Sequence, residues 1–330
     1  MNKKICAVVV TYNRKRLLKE CINSIFNQTI PINCIIVIDN ASSDGTPEFL
    51  FEKGYIKELP KTEVDGYFET EIDFIKDGNL IKFNYIRMNK NTGGSGGFYE
   101  GIKKGVEKNY DFLWIMDDDV MAENNCLEIL YKDVEYLSKK VSVGFVCPNP
   151  YNIDGKPDLM SVPPVVYKIN SFVYTSFYTK ENKIIPISSC GFGGVLVSRD
   201  AIKKSGFPIK EFFIWNDDYE WTRRMVRNGF LGFISLDAKI VHKSKNTGVD
   251  PRKLSVERLP LLYYEIRNKA FLFRQDFNFF SFIRVYFKFF IEILYKILKR
   301  KDLDKRFYVV FILLKGFIDG LFFKPKIEKP

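Results

Sequence analysis

An α/β fold built on a mostly parallel sheet, with a helical extension after it, is predicted by three features of the sequence. Short apolar, β-branched runs alternate with stretches of helical spacing, each of the first four runs ends in a polar or glycine cluster, and composition changes after residue 250. The 330 residues are 46% hydrophobic and 28% charged, with 21 Gly and 14 Pro, the balance of an ordinary globular chain. That length suits one large α/β domain or one domain with an appendage. We therefore expect a domain over residues 1–250 and an extension over 251–330.

Residues 5–10 are unbroken apolar and β-branched, the mark of a strand buried on both faces. Residues 14–27 then carry Leu17, Leu18, Cys21, Ile22, Ile25 and Phe26 at helical spacing. A second strand at 34–38 ends in the polar stretch 39–46, a third at 81–86 ends in the glycine-rich stretch 91–97, and a fourth at 112–116 ends in Asp117, Asp118 and Asp119. In mostly parallel sheets ligands bind at the carboxyl ends of the strands, and all four clusters fall at that edge. Residues 54–79 read as an acidic insertion, and 148–186, with most of the mid-chain prolines, as loops and antiparallel strands; neither carries recognisable chemistry. After Gly193 and Gly194 come a strand at 195–198, a helix from about 217 to 228 stopped by Gly229, and a strand at 239–241 that delivers His242. No internal repeat or low-complexity segment is present.

Charge is distributed unevenly. Residues 251–330 hold 18 basic and 8 acidic residues together with 14 of the 31 Phe, whereas the first 250 residues are nearly neutral. Phe mixed with Lys and Arg points to an anionic membrane surface more than to nucleic acid. Residues 281–298 place Arg284, Lys288, Glu292 and Lys296 at four-residue steps among apolar residues, and 307–323 repeat the pattern with Lys315 and Asp319. Interruption by charge favours helices lying in the interface over a span; the alternative is packing on the domain or on a second copy of the chain. The six cysteines form no CxxC pair and read as buried reduced thiols. The first apolar run is too short for a signal peptide, so a cytoplasmic location is expected.

Three carboxylates, Asp117 to Asp119, directly behind a buried apolar strand are most comfortable around a cation, and alternate residues Asp117 and Asp119 point the same way if the chain stays extended. Such a pair suits a divalent metal bridging phosphates. The segment from Gly93 to Gly97 lacks the dinucleotide fingerprint and the phosphate-loop pattern, leaving a backbone that a ligand can approach closely at the start of a helix. His242 is the single histidine, which excludes two-histidine zinc sites and leaves a metal ligand, a general base or a structural residue. An imidazole beside carboxylates suits manganese better than calcium. Asp217 and Asp218 open a helix between Trp215 and Trp221, where they serve as a sugar-binding general base or as a helix cap. Glu220 and Arg224 read as a surface or buttressing pair.

Taken together these residues resemble a family 2 glycosyltransferase of the GT-A fold over roughly residues 5–245. The stretch Val10, Thr11, Tyr12, Asn13, Arg14 looks like the family's first nucleotide-binding loop, Asp39 and Asn40 like its second-strand carboxylate near base and ribose, and Asn91 to Gly97, with Gly93 and Gly94, like its Asn-x-Gly-Gly-x-Gly-Gly loop. Asp117, Asp118 and Asp119 match its metal motif, Asp218 the second carboxylate of its catalytic pair with Asp217 in the first position, and His242 its late histidine ligand. The resemblance is strongest to bacterial galactofuranosyltransferases, with rhamnosyltransferases next. It implies inverting transfer with Asp218 as base; Asp117, Asp119 and His242 around Mn2+ or Mg2+; and Asp118 on the nucleotide. Gly193, Gly194, Trp215, Asp217 and Trp221 would shape the donor-sugar and acceptor pocket. The implied partners are a UDP-sugar and a lipid-linked or cell-surface glycan, approached from the inner face of the cell membrane. A dTDP-rhamnose donor, a nucleotidyltransferase and a non-catalytic nucleotide-sugar-binding protein are the competing readings.

Overall fold

The computed structural model describes residues 3–60, 67–158, 161–164, 183–243 and 249–330. Two compact units are present, one of Met1–Lys210, Asp218–Ser244 and Ile327–Pro330, the other of Glu211–Asp217 and Lys245–Lys326. The chain therefore leaves the first unit briefly at 211–217, before the division near residue 250 that composition indicates.

The first unit is built on β1 (Ile5–Thr11), β2 (Cys34–Asp39), β3 (Tyr67–Lys76), β4 (Asn79–Met88), β5 (Phe112–Asp117), β6 (Val120–Ala122), β7 (Val143–Tyr151), β8 (Ile184–Ile187), β9 (Gly193–Ser198) and β10 (Leu231–His242). They form one sheet in the order β3-β4-β2-β1-β5-β9-β7-β10-β6, with β8 paired to β10. The β4-β2-β1-β5 block is parallel, as the strand and helix alternation requires, and antiparallel pairs flank it. Alternate residues of β1 and β2 enter two separate cores: Ala7, Val9, Ile35 and Val37 on one face, Val8, Val10, Ile36 and Ile38 on the other. Helices α1 (Lys15–Phe26) and α4 (Cys126–Ser138) cover the first face; α3 (Gly93–Glu107), α5 (Arg199–Ser205) and α6 (Asp217–Arg227) cover the second, and the short α2 (Thr46–Glu52) follows β2.

Within residues 54–79, read above as an insertion, lies β3, which pairs antiparallel with β4 through a tight turn at Asp77 and Gly78, both at positive φ. Asp-Gly is a strong hairpin signal, and Phe68, Ile72 and Phe74 alternate with Glu69, Glu71 and Asp73, so the strand is legible once the turn is recognised. Much of 148–186 lies outside the described residues; at its end β8 runs antiparallel to β10, as expected. All six cysteines are buried and free.

The second unit packs α7 (Leu262–Asp276), α8 (Phe279–Leu298) and α9 (Arg306–Phe322) around Leu262, Ile266, Ala270, Phe282, Tyr286, Phe290, Ile293 and Leu313. Gly320 lets α9 approach closely, since a Cβ there would meet the Tyr286 hydroxyl at 2.2 Å. Among the described residues no helix is long and apolar enough to cross a membrane.

Candidate active site

Register builds the site. Thr11 stands opposite Asp39, Val10 opposite Asp117 and His242 opposite Val120, so the ends of β1, β2, β5 and β10 converge. Beyond Asp117 the chain turns at once through Asp118 and Asp119 into β6. The extended geometry expected of Asp117 and Asp119 is thus replaced by a turn that directs Asp118 and Asp119 toward one guanidinium. Arg14 Nη1 donates to Asp118 Oδ1 at 3.1 Å and to Asp119 Oδ2 at 2.8 Å, and Thr11 Oγ1 donates to Asp118 Oδ2 at 2.6 Å.

His242 Nε2 lies 3.4 Å from Asp119 Oδ1, a buried oxygen that makes no hydrogen bond of good geometry. On the other side of the ring, Nδ1 sits 2.9 Å from Asp158 Oδ2, which also accepts from Ser161 Oγ at 2.6 Å. Burial pushes Asp117 well above the usual carboxylate range, helped by Asp119 and Asp118. It also raises Asp118 to about 6, against the opposing pull of Arg14 and Thr11. For Asp119 burial acts upward, but His242 and Arg14 outweigh it and hold the carboxyl below its ordinary value. Burial lowers His242, yet Asp119 and Asp158 carry it up to about 9.

Among the described residues no three His, Cys, Asp or Glu side chains converge to cage a metal ion. The unbonded Asp119 Oδ1 and the facing His242 Nε2 nevertheless form an open two-donor site. Such a site fits a divalent cation that draws its remaining ligands from phosphate oxygens.

A cavity of about 370 Å3 opens beside these groups, lined by Asp117, His242, Gly193 and Asp218 among others. Asp218 is in the first turn of α6, where the helix dipole favours a carboxylate. The helix is anchored by Trp221 and Met225 in the core, and by Thr222 Oγ1, which donates to Asp218 O at 2.8 Å and accepts from Cys190 N at 3.1 Å. Glu220 and Arg224 form a buried brace, with Arg224 Nη2 also donating to Phe207 O at 2.9 Å.

Several expected residues stand elsewhere. Trp221 is fully buried and donates from Nε1 to Gly206 O at 2.8 Å, because its spacing with Met225 faces it into the core. It does not line the cavity, while Trp215 packs within the helical unit and Asp217 belongs to the same unit. Gly194, at φ 83°, is the extra residue of a bulge opposite β5, and its carbonyl accepts from Trp114 Nε1 at 2.8 Å; it does not line the cavity either.

Asp39 is buried, with Tyr85 Oη, Arg87 Nη1 and Ser42 N on its oxygens at 2.7, 2.8 and 2.8 Å. Asn40 ties Gly93 O to Thr92 N. Both brace the loops under the site. Asn91 Oδ1 accepts from Gly93 N at 2.8 Å, nothing lies within 4 Å of the place where a Gly94 Cβ would stand, and Tyr12 is 45% exposed. Residues missed in the sequence include Ser189, Gly191 and Tyr219, which line the cavity, and Asp158, which backs His242; only the fold marks them.

The fold and the clustered carboxylates at its strand ends are those of a glycosyltransferase. Residues 6–63 and 67–206 match the family model described as Glycosyl transferase family 2, and the chain belongs to that family. It is 26% identical over 243 residues to the galactofuranosyltransferase GlfT1 of Mycolicibacterium smegmatis, covering 72% of this chain and 70% of that protein. Identity to GlfT1 of Mycobacterium tuberculosis is 26% over 246 residues, covering 73% and 71%. Among solved structures, S. aureus TarS 1-349 superposes with a TM-score of 0.50 at 14% identity over 97% of this chain and 72% of that one. GalNAc-T7 with UDP, GalNAc and Mn2+ superposes with a TM-score of 0.53 at 13% identity over 79% and 47%. These two likenesses concern the fold alone.

Proposed function

We propose that the protein transfers galactofuranose, with inversion, from UDP-galactofuranose to a hydroxyl of a lipid-linked or cell-surface glycan. The observation that carries this reading is that Asp218 lines one cavity with Asp117 and His242, which puts a proton acceptor beside the groups suited to a cation and a diphosphate. Asp218 takes the proton of the acceptor hydroxyl as its oxygen attacks the anomeric carbon. The bond from that carbon to the diphosphate breaks, its electron pair leaves with the nucleotide, and configuration inverts.

Asp119 and His242, with Asp117 at the wall, would hold a manganese or magnesium ion, whose positive charge would favour departure of the diphosphate. Arg14 and Thr11 secure Asp118 at the same edge, and the 38% exposed side chain of Arg14 adds positive charge for the nucleotide. The furanose donor is supported by the likeness to the GlfT1 proteins.

Isothermal titration with UDP and with dTDP, each with and without manganese, tests the reading. Manganese-dependent binding of UDP and not of dTDP is expected. The reverse preference replaces the donor with dTDP-rhamnose, and binding of neither removes the nucleotide-sugar reading.

The helical unit supports attachment to the inner face of an anionic membrane. Its core uses Phe282, Tyr286, Phe290, Ile293 and Ile297 of α8, and a second stripe of the same helix, Phe280, Ile283, Phe287, Ile291 and Tyr295, remains exposed. In α9 Phe307, Phe311, Leu314, Ile318 and Phe322 are likewise exposed. Internal packing therefore accounts for only half of the apolar residues. Arg284, Lys288 and Lys296 follow three of the five residues of the exposed α8 stripe and Glu292 a fourth, a net positive edge that suits anionic head groups.

A further inference from the structure

We propose that Asn268 is a positioning residue for Asp218, acting through the loop that leads into α6; the inference rests on the role given to Asp218 above. In this loop Phe213, Trp215 and Asn216 have φ of 65°, 63° and 68°. These are non-glycine residues in the left-handed region, two of them aromatic, and such conformations persist only where the surroundings over-determine them. Helix α7, in the same helical unit, supplies those surroundings.

Asn268 is completely buried, and its Nδ2 faces Phe212 O at 3.0 Å, Ile214 O at 3.1 Å and Trp215 O at 3.1 Å. Its Oδ1 accepts from Arg267 Nε at 3.2 Å, and Arg267 in turn donates to Glu211 O. Glu265 Oε2 accepts from Asn216 Nδ2 at 2.6 Å, and the Phe213 ring stacks on Tyr264 with centroids 4.6 Å apart. One helix thus holds the carbonyls of Glu211, Phe212, Ile214 and Trp215. The chain then passes directly into Asp217 and Asp218, the first two residues of α6. The dihedrals at Trp215 and Asn216 set the direction in which the backbone enters Asp217 and Asp218, ahead of the anchors at Trp221, Thr222 and Met225. A loop needed only to close the gap would take glycine at these φ values. Here bulky residues are kept in them by a buried amide.

The test uses the full chain with Asn268→Ala and the milder Glu265→Gln, and Asp218→Asn alongside. Amide exchange over 211–222, UDP affinity with manganese, and UDP release from UDP-galactofuranose with an extracted membrane glycolipid acceptor are measured. Asn268→Ala is expected to speed exchange across 213–222 and lower kcat by roughly tenfold or more, leaving donor KM and UDP affinity within about twofold; Glu265→Gln moves the same readouts less. Unchanged exchange at 217–222 overturns the proposal whatever donor is used, and so does unchanged kcat while Asp218→Asn is inactive. Parallel loss of kcat and UDP affinity marks a merely structural role. If Asn268→Ala fails to fold, Glu265→Gln decides on the same criteria. Full activity in Asp218→Asn removes the base assignment and not the clamp, which the exchange data then judge alone.

Discussion

Asp119 divides its two oxygens between different tasks: Oδ2 takes the Arg14 guanidinium at 2.8 Å, while Oδ1 faces His242 Nε2 at 3.4 Å without a hydrogen bond. That division keeps one donor available beside an imidazole whose far nitrogen is held by Asp158. A carboxylate behind a ligating histidine orients the ring and raises its basicity, and its loss typically costs about 10-fold to 100-fold in metal affinity. Asp158→Asn is therefore expected to weaken manganese-dependent UDP binding by that factor and to leave metal-free UDP binding unchanged. His242→Ala and Asp119→Ala should do at least as much; unchanged titrations for His242→Ala remove it from the metal shell. Gly191 acts on the other side of the cavity, where a Cβ would stand 3.2 Å from Asp218 Oδ2. Gly191→Ala should push that carboxylate aside and lower kcat by roughly tenfold with UDP affinity intact, and a full-rate variant would show that the carboxylate has room to spare. His242 is legible from the sequence because it ends a strand, and Asp119 because it closes a run of three carboxylates directly behind one. Asp158 is not, because its partner is 84 residues away and only the fold brings them together.

At the level of elements, the glycine-rich segment proves to be mostly helix. α3 begins at Gly93, and Cβ atoms at Gly97, Gly101 and Gly105 would lie within 2.6 Å of Val10, Val8 and Leu113 side chains, so this face of the helix lies close against β1 and β5. Open space surrounds Gly94, whereas Cβ atoms at Gly96 and Gly97 would meet the Thr92 and Val10 side chains. α4 illustrates a different constraint. Asp133, on that helix, has Oδ2 buried without a partner, and burial, with Asp237 nearby, raises its carboxyl to about 6. The folded state thus holds this proton more tightly than the unfolded chain does. The resulting destabilisation is absent below the unfolded value near 4, grows as pH rises toward 6 and is constant above it. Asp133→Asn should raise stability at pH 7 by about 1 kcal/mol, allowing for partial solvent exposure, and by nothing near pH 3.5. Denaturant midpoints at the two pH values check this; an equal gain at both would place the cause outside ionisation.

For the whole molecule, charge and apolar surface coincide in the same segment. Residues 251–330 hold 18 basic against 8 acidic residues, and so most of the net charge of +11, together with two exposed aromatic stripes. Anionic vesicles should therefore pellet the protein and neutral ones should do so less, with the difference shrinking as salt rises, because head-group attraction is screened. Replacing Phe280, Phe287 and Phe311 together by Ser should abolish pelleting while UDP binding persists. Self-association in sedimentation velocity with no vesicle binding would assign these stripes to a second copy of the chain.

Strand periodicity and the polar clusters at strand ends are enough to place the β4-β2-β1-β5 block and to set Asp117 and His242 at strand ends and Asp218 at the start of a helix, because each depends on short stretches whose burial pattern is written locally. The helical pattern of α8 and α9 was equally local. Tertiary structure alone decided which of the two apolar faces of α8 is covered. It also turned Asp118 and Asp119 onto Arg14, drew Trp221 into the core and Trp215 into the helical unit, and set Asn268 beneath a strained loop. Each of these outcomes depends on contacts between residues distant in the chain, and no local period encodes which partner a side chain meets.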